Sequence, residues 1–119
     1  MSKADRLSRL DARRIELEAE YEDALVDALR KVAAGSWGLF GHNRDRAARA
    51  KWEPAVTDLY DMGEEIDRMR DQLELQRFAL HEEFEASRGS VPSNAPGEPK
   101  QARAWLDRLG KDIGRPARN

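Results

Sequence analysis

An all-α fold, a long antiparallel helical hairpin with a short additional C-terminal helix that forms a dimeric helical bundle, is what this sequence predicts. Three observations carry that expectation. Two long charged segments repeat their apolar residues at helical spacing, and a glycine-rich turn separates them. Charged residues make up 37% of the chain, well above the roughly 25% of ordinary globular proteins, so the apolar residues suffice for stripes on helices rather than for a thick interior. A two-helix hairpin cannot cover all of its own apolar surface, which is the reason to expect a homodimer.

The first segment, Lys3 to Ala34, holds neither proline nor glycine and reads as one helix. Leu7, Leu10, Leu17, Tyr21, Ala24, Leu25, Ala28, Leu29 and Val32 fall on one broad stripe at 100° per residue. A weaker second face carries Ile15, Ala19, Val26 and Ala33 and offers a seat for another helix or subunit. Arg14 sits inside the main stripe, either snorkelling its head to water or making a register-setting ion pair at a helix interface.

The turn at 35–43 reads Gly-Ser-Trp-Gly-Leu-Phe-Gly-His-Asn. Its glycines break the helix, while Trp37, Leu39 and Phe40 are too apolar for an ordinary solvated turn. They read either as a hydrophobic plug with Trp52 that closes the hairpin tip or as a recognition patch beside Arg44, Arg46 and Arg49.

After the turn, Pro54 interrupts the helical pattern. Either a short helix over 44–51 stops before a long one that opens at Pro54 and runs to Ser87, or one helix runs through with a kink, and the break is the preferred expectation. Within that helix Leu59, Ile66, Leu73 and Leu80 recur every seven residues, a coiled-coil-like stripe into which Arg70 and Arg77 edge. With Arg14 they form the candidate self-interface. In an antiparallel hairpin Arg70 and Arg77 come near Asp11, Glu16 or Glu18. Gly63 interrupts the stripe and is either tolerated or lets a partner helix approach closely.

Residues 89–99, rich in glycine, proline and serine, read as a linker, and 100–119 as a short docking helix followed by a basic tail, all part of one domain with the hairpin over 1–88. Ala102, Trp105, Leu106 and Leu109 share one side of the short helix, and the surfaces around Phe78 or Ile15 are its expected seats.

Composition also bounds function. The net charge is -2 with no cysteine, which excludes disulfide frameworks, thiolate metal sites and cysteine nucleophiles. No apolar run is long enough for a membrane span and no signal core follows the amino terminus, so the expected compartment is the cytoplasm. The stretch 58–88 holds ten acidic and four basic residues and would repel phosphates, which places a nucleic-acid role through 44–51 and the basic tail second. His81 lacks a second histidine one turn on and position 78 is phenylalanine rather than glutamate, so neither a metallohydrolase nor a carboxylate-metal motif is complete. No catalytic residue, metal or cofactor is predicted; a dimeric carboxylate-metal bundle enzyme ranks third. The leading expectation is a non-enzymatic helical module for protein-protein interaction or regulation, with Trp37, Leu39, Phe40, Arg44, Arg46, Arg49 and Trp52 as the candidate interaction residues for an unknown protein partner.

Overall fold

The computed structural model describes residues 2–42, 46–89 and 95–112, and these are all-α. Four helices follow in order: α1 Lys3–Ala33, α2 Arg46–Gln72, α3 Ala79–Ser87 and α4 Glu98–Arg108. The 31-residue α1 is about 46 Å long at 1.5 Å per residue and sets the 53 Å long dimension of the molecule. Its start is capped by Ser2, whose Oγ accepts from the Asp5 amide at 3.1 Å. Arg44 and the residues beyond 112, where the basic tail was expected, lie outside the described residues.

The hairpin is antiparallel, and one apolar cluster runs through it. Leu17, Tyr21, Leu25, Leu29 and Val32 of the α1 stripe are buried together with Leu59, Ile66 and Met69 of α2. Leu59 and Ile66 are 1% and 0% exposed within this single chain. Half of the heptad stripe assigned to a self-interface is therefore core of the chain itself. The polar flank of the same contact fixes register: Arg14 donates to Asp11 and Glu18, and Arg70 donates to the same Glu18 Oε2. Hydrogen bonding to Asp11 raises the Arg14 guanidinium above its ordinary value. Among the described residues Arg14 thus pairs only within its own helix, Arg70 makes the cross-helix ion pair through the shared Glu18, and Arg77 turns instead to Asp67 at 3.4 Å.

Two expectations about the second segment are corrected. Helix α2 continues through Pro54 instead of starting there. An interior proline forfeits one backbone hydrogen bond and costs about 3 kcal/mol, yet Ala50 and Pro54 are both exposed, so the carbonyl left free faces water. On the opposite face Trp52 is buried and donates from Nε1 to Ser36 Oγ at 2.9 Å. Packing of that indole holds the helix across the proline.

The second correction is that the helix expected to reach Ser87 stops at Gln72. Glu74 adopts φ +59°, the Leu75 amide donates to Arg70 O at 2.8 Å and the Glu74 amide to Asp71 O at 3.1 Å. These are the paired bonds of a Schellman ending, which reverses the chain. Asp67 then accepts from the Phe78 amide at 2.8 Å and Arg70 donates to Gln76 O, fixing the connection. Leu73 is consequently in the turn and Leu80 in α3, both half-buried. Because a non-glycine residue in the left-handed region costs about 1 kcal/mol, Glu74→Gly is expected to stabilise the chain by about 0.5 kcal/mol in urea denaturation, net of the added chain entropy.

Helix α3 folds back along α2. His81 lies against Gly63, where a Cβ would meet the imidazole at 2.3 Å, so Gly63 serves the close approach of a helix from the same chain. The Tyr21 hydroxyl lies 2.7 Å from His81 Nδ1 in the buried core, a hydrogen bond whose direction follows the imidazole tautomer. Burial pushes the Tyr21 phenol well up from its ordinary value, so it stays protonated. Tyr60 packs edge-on against the same imidazole.

Helix α4 starts at Glu98, inside the expected linker, and does not dock near Phe78 or Ile15. It lies on the second face of α1, where Val26 and Ala33 are buried, while Ile15 remains 55% exposed. Arg103 donates to Ala33 O at 3.0 Å and Arg30 to Asp112 O at 3.2 Å. Ala102, Trp105 and Leu106 supply the apolar side of that contact. Gly89 donates from its amide to Phe40 O at 3.0 Å, so the end of α3 and the start of α4 both return to the glycine turn.

A candidate interaction site at the helix tip

Four pieces of chain meet at this end of the molecule: the turn 35–42, the start of α2, the end of α3 and the start of α4. A buried carboxylate ties two of them together, the turn and the start of α4. Glu98 is 0% exposed, and its Oε1 accepts from the Gly38 and Phe40 amides at 3.0 and 3.1 Å. Its Oε2 accepts from the His42 amide at 3.0 Å. An isolated carboxylate out of water would be very costly; three charge-assisted bonds from alternate amides of one loop, with the positive end of α4, offset that desolvation.

The loop is held from its other side as well. A Cβ at Gly38 would lie 2.4 Å from Ala48 O, so only glycine lets the loop rest on the α2 backbone. Arg88 donates from Nε to Leu39 O at 2.9 Å. His42 Nε2 donates to Ser87 O at 3.3 Å, which in the neutral ring leaves the lone pair on Nδ1, and that atom is buried with no hydrogen-bond partner among the described residues.

This framework sorts the expected interaction residues into two sets. Leu39 and Phe40 are both 0% exposed and Trp52 is 7% exposed, so these three form the hydrophobic plug and present no surface to a partner. Trp37 is different. Its ring edge rests on Gly97 yet it stays 37% exposed. Arg46 and Arg49 are exposed, and neither guanidinium has an ion-pair or hydrogen-bond partner among the described residues.

Arg46 and Arg49 line an open groove of about 500 Å³ with Glu53, Val56 and Thr57 of the same α2 face. Arg88 closes its far side, its guanidinium carbon 5.8 Å from the Tyr60 ring centroid and 6.0 Å from that of Phe84. A second groove of about 380 Å³ has the opposite sign, with Glu64, Asp67, Asp71 and Glu85 beside Arg68, Arg77 and the edge of His81. Among the described residues no group of three or more histidine or acidic side chains is placed to hold a metal ion, and no helix is long and apolar enough to cross a membrane.

Sequence reasoning missed Glu98 and Arg88. An acid in the first turn of a helix beginning Gly-Glu-Pro is a legible helix start, but nothing local says that its oxygens face amides 56 to 60 residues upstream. In the sequence Arg88 is only the last charge of the acidic stretch 58–88. No family model matches this chain, and neither the curated proteins nor the solved structures yield a match.

Proposed function

We propose that this chain is a non-enzymatic helical module that binds a protein partner through its tip, presenting Trp37, Arg46 and Arg49 on a backbone fixed in advance. The observation that supports this reading is the contrast at the turn: every neighbouring large apolar side chain is buried, while Trp37 is left half in water on a loop that Glu98 holds through three amides. Tryptophan and arginine are the residue types most enriched among interface hot spots. A loop already ordered before binding also avoids the entropy cost of fixing it in the complex. The expected compartment, the cytoplasm, belongs to the same proposal. The homodimer expected from the heptad pattern is not required by this reading, since Leu59 and Ile66 are buried in the chain's own core.

Trp37→Ala tests it. The half-exposed ring adds little to the core, so the variant is expected to lose no more than about 1 kcal/mol of stability in urea denaturation. Cross-linking and mass spectrometry on host-cell extract are expected to identify a protein partner that the parent chain retains and the variant loses at least tenfold. Equal retention by the two chains, with the fold intact, would sink the proposal.

A further inference from the structure

We infer that the groove between α2 and Arg88 is a binding site for a phosphoryl monoester group. The groove shares Arg46 and Arg49 with the proposed interaction surface but does not include Trp37, so Trp37→Ala tests that reading without altering the lining of this groove. Among the described residues three cations border the groove, and all three are arginines. A guanidinium presents a planar fork of donors that matches two oxygens of one phosphoryl group, whereas an ammonium acts as a point charge. Thr57 adds a hydroxyl donor on the same wall.

The three arginines differ in how they are held. Arg88 is anchored, with Nε donated to Leu39 O and its guanidinium against Tyr60 and Phe84. Arg46 and Arg49, one turn apart on α2, carry no partner among the described residues. Elsewhere on the hairpin Arg13, Arg14, Arg70 and Arg77 reach carboxylates. The groove thus combines one fixed fork with two free ones, so that an arriving anion need not displace an existing ion pair.

The groove's limits select a compact anion. Glu53 lies in its wall, and directly beyond Thr57 the α2 surface becomes acidic with Asp58, Asp61, Glu64 and Glu65. A polymer of phosphates following α2 would run into that stretch within two turns. A single terminal phosphoryl, carrying close to two negative charges and three acceptor oxygens, meets only the arginine end. At about 500 Å³ the space is of ligand size.

The test is a nitrogen-15 NMR titration of the whole chain at low ionic strength with three probes, each matched for ionic strength with sodium chloride. The probes are phenyl phosphate, a phosphoserine peptide with its unphosphorylated twin, and a short single-stranded DNA. Saturable shifts confined to 46–57 and 88–89 are expected with phenyl phosphate or with the phosphopeptide but not its twin, and the tighter of the two identifies the source of the group. The paired substitution Arg46→Gln and Arg49→Gln, both at exposed positions, is expected to weaken binding about tenfold or more, and Arg68→Gln to leave it unchanged. Absence of saturation with both phosphate probes, equal binding by the doubly substituted chain, or at least tenfold tighter binding of the DNA would overturn the inference.

Discussion

Glu98→Ala is expected to lower the free energy of unfolding by about 4 kcal/mol, because the amides of Gly38, Phe40 and His42 lose their acceptor together. Gly38 and Phe40 are themselves buried, so for those two amides water is not an immediate replacement. Glu98→Gln is expected to cost less, about 2 kcal/mol. It can keep an oxygen toward Gly38 and Phe40 but sets an NH2 group against the donating His42 amide. The order of the two variants matters more than either value. Equilibrium urea denaturation of the parent and both variants supplies it, and near-parent stability of the alanine variant would show that the turn is held by something else. The functional consequence runs the same way: an unpinned loop no longer presents Trp37 in one geometry, so both Glu98 variants are expected to lose partner capture more than their residual fold would suggest.

Gly63→Ala is expected to destabilise the chain by about 3 kcal/mol, although alanine is the better helix former by about 1 kcal/mol. The added Cβ would lie between 2.3 and 2.5 Å from three atoms of the His81 ring. No flexible side-chain end is there to yield. The imidazole is 1% exposed, bonded to Tyr21 and flanked edge-on by Tyr21 and Tyr60. Relief requires α3 to move off α2, which breaks the Tyr21 hydrogen bond and loosens Arg88, the fixed wall of the groove. Urea denaturation with an unchanged m-value would register the loss as stability alone. A variant as stable as the parent would mean that α3 is not seated on Gly63.

The particular elements show why some of this was legible in the sequence and some was not. Helix α1 declares itself because its apolar spacing, its lack of glycine and proline and its polar cap all agree. The glycine turn was equally plain, and so was the apolar side of α4. Local signals failed where distant contacts decide. Pro54 argued for a break from backbone chemistry alone, but burial of Trp52 two residues earlier holds the helix together. The end of α2 uses the same Schellman bonds that close α1 at Gly35 and α4 at Gly110, with glutamate at the left-handed position where those have glycine. Without that punctuation the heptad spacing reads straight through Leu73 to Leu80. Leu59 and Ile66 were correctly apolar, yet periodicity cannot say whether a stripe meets a neighbouring helix or another chain.

At the tip the same distinction applies to charge. Arg46 and Arg49 were visible as basic residues beside an aromatic turn, whereas their convergence on Arg88 depends on α3 folding back, a consequence of the unpunctuated turn at Glu74. The plug of Leu39, Phe40 and Trp52 and the exposure of Trp37 both follow from where Glu98 fixes the loop.

The central claim is that the tip is ordered before any partner arrives, and native-state hydrogen exchange at the amides of Gly38, Phe40 and His42 tests it most directly. The account predicts that all three exchange slowly, with protection approaching that of the α1 core around Leu25 and Leu29, and that protection falls together in Glu98→Ala. Exchange of these amides at the rate of an open loop, while the α1 core stays protected, would contradict it.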